Sequence, residues 1–82
     1  MIRVKVLFFS LLRDVTGSSE LERELPEGAC LEDLLEEIEA EWPRLRDWRP
    51  SLLLAVDHTY VRADAPLHDG AEIALMPPVQ GG

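Results

Sequence analysis

Between Leu31 and Trp42 the apolar residues Leu31, Leu34, Leu35, Ile38 and Trp42 fall at i, i+3, i+4, i+7 and i+11, while Glu32, Asp33, Glu36, Glu37, Glu39 and Glu41 fill the gaps. That spacing predicts a helix with one apolar stripe and a strongly acidic outer surface. A chain of 82 residues is one domain, burying only about 60% of the surface its unfolded form exposes, so the stripe has to be covered by whatever the remaining segments build. Asp33, at the third helical position, and Glu32 beside it suit the positive end of the helix dipole, although Cys30 at the cap position is a poor substitute for serine or threonine. Pro43 should end the helix.

The flanking segments read as strands. Ile2, Val4, Val6 and Phe8 alternate with Arg3 and Lys5, a period-2 pattern whose polar side is broken by Leu7 and Phe9. Leu11 to Val15 suits a short helical turn ending at Thr16-Gly17, where glycine accepts a left-handed cap. In Glu20 to Leu25 leucines alternate with glutamates, as in a hairpin arm with one face in solvent, and Pro26-Glu27-Gly28 stops it. Arg44 to Pro50 reads as a polar connector. Leu52 to Val56 reads as a strand, Asp57-His58-Thr59 as a turn leading into a short Tyr60-Val61 strand, and Asp69-Gly70 as the turn before a last strand. On that last strand Ile73 and Leu75 point one way, Ala74 and Met76 the other. The order of strand, strand, helix, strand, short strand, strand is that of a β-grasp fold, an α+β mixed sheet of about five strands packed on one main helix. Residues 1–76 form this domain and residues 77–82 a tail. Pro77 and Pro78 withhold strand hydrogen bonds and Gly81-Gly82 add flexibility, so the end is expected to project into solvent.

Charge narrows the partners. The formal net charge is -8, which disfavours nucleic acid, since such binding rests on basic side chains replacing counterions along phosphates. Ten of the sixteen acids lie between Glu20 and Glu41, a solvated face that would also favour basic partners. No stretch approaches the roughly 20 apolar residues of a membrane span, and the Met1-Ile2-Arg3-Val4-Lys5-Val6 start carries no export signal, so a cytoplasmic location is expected. Cys30 is the only cysteine, which rules out an intramolecular disulfide or an iron–sulfur cluster built by this chain, and no metal site is expected.

Conventional catalysis finds little support. There is no phosphate-binding glycine loop and no Ser-His-Asp or Cys-His spacing. His58 and His68 sit in turns as surface histidines. Glu36 and Glu37 diverge by about 100° around a helix and cannot share a site. Cys30 reads as a small, partly buried residue at the helix start. What remains is the end of the chain: without Cβ atoms, Gly81 and Gly82 can thread a narrow channel and present the terminal carboxylate to attack. A carboxylate is inert until activated, so a partner would have to adenylate Gly82 before a sulfur donor could displace AMP and leave a thiocarboxylate. Strand parity adds a second clue. With the first and last strands adjacent and parallel, Leu7 and Phe9 join Ala74 and Met76, with Tyr60 nearby, on the face away from the helix, an apolar patch of the kind that marks partner surfaces.

Val6-Leu7-Phe8-Phe9 followed by Arg13 and Gly17, Leu54-Ala55-Val56-Asp57, Pro66-Leu67 with Asp69-Gly70, and above all the ending Pro77-Pro78-Val79-Gln80-Gly81-Gly82 together resemble the molybdopterin synthase small subunit family over nearly the whole chain. The resemblance implies a ubiquitin-like fold, activation of Gly82 by a ubiquitin-activating-type adenylyltransferase that uses ATP, and thiocarboxylation from a sulfur donor protein. It further implies insertion of the tail into the molybdopterin synthase large subunit, which holds the active site. There the small subunit donates sulfur to cyclic pyranopterin monophosphate in molybdenum cofactor biosynthesis, within a heterotetramer. By position, Phe9, Tyr60 and Met76 match the family's apolar contact surface, and Gly81 and Gly82 its reactive end. Tyr60 and Met76 stand where other members often have leucine and phenylalanine. No cofactor is expected on the chain itself. Two other classes share parts of this pattern: a ubiquitin-like sulfur carrier for thiamine, cysteine or tRNA thiolation, and a protein modifier or binding module. The single lysine, Lys5, argues against chains of linked copies.

Overall fold

The computed structural model describes residues 1–78. Its elements run β1 (Ile2–Phe8), α1 (Leu11–Thr16), β2 (Glu20–Leu25), α2 (Leu31–Glu41), α3 (Leu45–Trp48), a 3-10 turn (Arg49–Ser51), β3 (Leu53–Val56), β4 (Thr59–Tyr60) and β5 (Glu72–Met76). The five strands form one mixed sheet in the order β2-β1-β5-β3-β4. β1 and β5 lie parallel at its centre, with Val6 opposite Ile73 and Leu7 opposite Ala74, and the other pairings are antiparallel. This is the β-grasp arrangement, and the alternating residues meet its geometry: Val4, Val6 and Phe8 of β1 and Ile73 and Leu75 of β5 are buried on the face toward α2.

α2 covers that face with Leu31, Leu34, Leu35 and Ile38, all at most 1% exposed. Trp42, at its C-terminal cap, meets Phe8 edge to face at a centroid distance of 6.1 Å, a favoured aromatic geometry. The helix start is satisfied without a hydroxyl cap. Asp33 Oδ2 accepts from the Cys30 N–H at 2.9 Å, and the carbonyls of Ala65 and Ala63 accept from the Leu31 and Glu32 N–H groups at 2.8 and 2.7 Å. Donors that would be orphaned at a helix N-terminus are thus paired by the segment leading to β5. Gly17 closes α1 at φ 75°, in the left-handed region where a Cβ is penalised.

Three expectations need correction. Arg44 to Pro50 is not a polar connector but a helical segment that buries Leu45 at 1% exposure and half-buries Trp48. The sequence spacing assigns Glu39 to the acidic outer face, but it is 7% exposed and its Oε2 accepts from Arg49 Nη1 at 2.9 Å. Arg49 also pairs with Glu32 at 2.5 Å, tying the 3-10 turn to α2. Burial lowers the guanidinium pKa, but the Glu32 hydrogen bond and the two carboxylate charges more than offset it, so the net shift is upward. Finally, β2 is not apolar along its whole inner parity. Arg23 lies between Leu21 and Leu25 on that side and pairs with Glu41 at the end of α2. No helix among the described residues is long and apolar enough to cross a membrane.

Candidate functional site

The sheet's outer face is divided along the strand axis. At the end where β1 and β5 begin, Arg3 and Lys5 lie opposite Glu24 and Glu22 of β2, and Lys5 Nζ pairs with Glu20 at 3.6 Å. At the end where the two strands finish, the same face turns apolar. Here one transverse row runs Leu7, Ala74, Ala55, Tyr60 across four strands, and the next places Met76 opposite Leu53. Phe9 prolongs β1, its N–H donating to the Leu75 carbonyl at 3.2 Å. Because the two central alanines are small and the residues around them large, the row forms a groove of about 250 Å³ lined by Leu7, Phe9, Ala55, His58, Tyr60, Glu72, Ala74 and Met76.

Leu7, Phe9, Tyr60 and Met76, drawn from four separated positions in the chain, therefore share one surface. Phe9 is 42% and Tyr60 71% exposed, values that leave large apolar or aromatic groups in water on a small domain. Residues 44 to 50 do not line the groove, so that segment leaves the patch uncovered. Parity arguments confined to β1 and β5 omit Ala55 and His58, whereas Glu72 shares the parity of Ala74 and Met76 on β5 and follows from extending that strand back by one residue. Carrying the alternation across to β3 would have found Ala55, opposite Ala74. Gly81 and Gly82 lie outside the described residues.

The β3–β4 connection shapes the groove's charged end. Asp57 and His58 both take positive φ, 50° and 70°, the backbone required at the centre of a tight two-residue hairpin loop. Asp57 is held from three directions. Its N–H donates to the Glu72 carbonyl at 2.8 Å, its Oδ1 accepts from the Glu72 N–H at 3.0 Å, and its Oδ2 meets His68 Nε2 at 2.5 Å. The other ring nitrogen of His68 faces the Asp69 carbonyl at 2.9 Å. Both partners are acceptors, so His68 satisfies both only as the imidazolium. The Asp57 hydrogen bond, followed by that of the Asp69 carbonyl, raises the His68 pKa, and the Glu72 N–H, followed by His68, lowers that of Asp57. The pair latches the hairpin to the segment entering β5. It sits beside the groove, where it positions His58 and Glu72 and touches nothing that needs chemistry. Cys30 is half-buried at the start of α2 and does not line the groove. Among the described residues no group of three or more His, Cys, Asp or Glu is placed to hold a metal ion.

The ThiS family matches residues 6–82. Among curated relatives, the molybdopterin synthase sulfur carrier subunit of Chlamydomonas reinhardtii is 40% identical over 83 residues, covering 99% of this chain and 100% of that protein. Among solved structures, a Pyrococcus furiosus protein assigned as molybdopterin converting factor subunit 1 superposes with a TM-score of 0.86 at 36% identity, over 96% of this chain and 100% of that one. A chain from the complex of subunits 1 and 2 of the molybdopterin-converting factor of Helicobacter pylori 26695 superposes with a TM-score of 0.72 at 27% identity, over 99% and 100% of the two chains. The match takes in the helix, every strand but the start of β1, and the Gly-Gly end alike: the chain belongs to the ThiS family, alongside the molybdopterin synthase sulfur carrier subunits.

Proposed function

We propose that this chain is the sulfur-carrying subunit of a molybdopterin synthase, that its reactive atom is the terminal carbonyl carbon of Gly82, and that it seats on the large subunit through the outer-face groove. The observation that carries this reading is the continuity between groove and chain end. Met76 is both the last residue of β5 and part of the groove wall, and Gly82 follows it by six positions in the sequence. Six residues span at most about 20 Å when extended. A partner seated on the groove therefore needs its active site within that distance, and a domain of residues 1–76 with a tail of 77–82 divides the work between docking and delivery.

The chemistry needs a second protein at each step. A ubiquitin-activating-type adenylyltransferase joins the Gly82 carboxylate to AMP, releasing pyrophosphate from ATP. The persulfide of a sulfur donor protein then attacks the acyl carbon and AMP leaves, giving an acyl disulfide; a thiolate attacks the donor-side sulfur of that disulfide, forms a new disulfide with the donor, and releases the thiocarboxylate on Gly82. In the large subunit this sulfur bonds to cyclic pyranopterin monophosphate, and water then hydrolyses the acyl–sulfur bond, leaving the sulfur on the pterin and regenerating the Gly82 carboxylate. The catalytic groups for the last step belong to the large subunit, and the small chain contributes the sulfur, the docking surface and the positioning. The family relationship and the sequence ending support this assignment of roles.

Deleting Gly82 tests it. Sulfur transfer to cyclic pyranopterin monophosphate in the presence of the large subunit should vanish, while the thermal melting of the shortened chain stays that of the parent, because a terminal residue contributes little to the core. Unaltered transfer by the shortened chain would refute the proposal. A chain that accepts sulfur but gives no product with this substrate would instead be a carrier for thiamine, cysteine or tRNA thiolation.

A further inference from the structure

We infer that the groove is a socket for a single apolar side chain of the large subunit, and that Glu72 at its charged end accepts a lysine or arginine presented beside that side chain. The inference rests on the proposed docking and specifies its chemistry. At about 250 Å³ the groove falls below the roughly 300–1,000 Å³ of sites that enclose a small molecule. Its form is that of a receptacle for a protruding residue. The floor is Ala55 and Ala74, opposite each other on β3 and β5, and the walls are the larger Leu7, Phe9, Tyr60 and Met76.

Glu72 supplies the charge argument. Its side chain is 37% exposed, and among the described residues its nearest basic group is His58 Nε2 at 3.6 Å, on an imidazole that is 88% exposed. Lys5 stands opposite Glu72 in the β1–β5 register but directs its Nζ to Glu20. No lysine or arginine of the described residues lies within 4.0 Å of the Glu72 carboxylate. Covering the groove strips water from this carboxylate, and a desolvated charge without a counter-charge is costly. An occupant that presents a lysine or arginine beside Glu72 offsets that cost. A second copy of this chain is disfavoured, because two surfaces of molecules carrying a net charge of -8 each repel one another.

The test is titration of the intact chain against the large subunit at several salt concentrations, with Glu72→Gln, Glu72→Lys and Ala74→Leu, each checked for an unaltered melting transition. Glu72→Gln should bind about tenfold more weakly with a shallower salt dependence, Glu72→Lys more weakly still, and Ala74→Leu, which fills the floor, about tenfold more weakly with the salt dependence intact. Should Ala74→Leu fail to fold, Ala74→Val fills less of the floor and should weaken binding in the same direction. Wild-type binding together with Glu72→Gln within about twofold of it and an unchanged salt slope overturns the cation. Unchanged binding by Ala74→Leu, or by Ala74→Val in its place, overturns the socket, and in both cases the docking proposal survives. Absence of wild-type binding to the large subunit removes the docking proposal and the socket together.

Discussion

Replacing Phe9 by alanine tests the proposed seating of the outer face on the large subunit. The residue is 42% exposed, and a phenylalanine presents roughly 200 Å² in all, so about 85 Å² of ring stands in water in the free chain. At about 25 cal/mol per Å² its removal from water is worth about 2 kcal/mol, or about thirtyfold in Kd. This is an upper figure, since the alanine methyl recovers part of it. Part of Phe9 is already covered by its own chain, so calorimetric titration against the large subunit belongs well below the melting transitions of both proteins. Tyr60→Ala is the companion measurement. Its ring is 71% exposed on a two-residue edge strand, it contributes little to the fold, and its loss should weaken binding by at least as much. Affinities for both variants within about twofold of wild type would refute the reasoning, because residues central to an interface cost more than that on truncation.

Two further outcomes follow from ion pairs. Arg49→Met strands Glu39, 7% exposed, without its cation. With Arg49 itself 24% exposed, the loss should be about 2 kcal/mol, below the 3–5 kcal/mol of a fully buried broken pair, lowering the melting temperature by about 10 °C at neutral pH. Equal melting of variant and parent at neutral pH would contradict this account. The Asp57–His68 latch predicts a different pH profile. A raised histidine pKa stabilises the fold below its ordinary value of 6.5 and loses that effect as pH rises through the raised value. A lowered carboxylate pKa stabilises above 3.8 and loses its effect as pH falls through the lowered value. The melting difference between wild type and His68→Asn should thus be largest between the ordinary carboxylate value of 3.8 and the ordinary imidazole value of 6.5 and shrink as pH rises through the raised histidine value, and a difference independent of pH would count against the latch.

Elements with strong local periodicity were legible from the sequence. The stripe from Leu31 to Ile38 and the alternation in β1, β2 and β5 mark buried faces that the structure preserves, because each pattern is repeated within its own segment and a shift of register would expose it. Parity also brought Leu7, Phe9, Ala74 and Met76 together, since adjacency of β1 and β5 needs only the topology. The helical segment after Pro43 was not legible in the same way. Four residues carry too few turns for a period, and its main signal, Leu45 and Trp48 three apart, is diluted by Arg44, Arg46, Asp47 and Arg49. Glu39 shows the limit more sharply. Its burial depends on a counter-charge ten positions later, information that no local pattern contains. The same holds for His68, whose pKa is raised by Asp57 across eleven positions, and for His58, which enters the groove only once the β3–β4 hairpin is laid beside β5.

The account depends most on sulfur being carried at Gly82, and the mass of the intact chain tests that directly. After incubation with the activating enzyme, ATP and a sulfur source, the C-terminal peptide should gain the mass difference of one oxygen exchanged for one sulfur, and a chain lacking Gly82 should gain nothing. A C-terminal peptide of unchanged mass under conditions that load a known carrier would contradict the account.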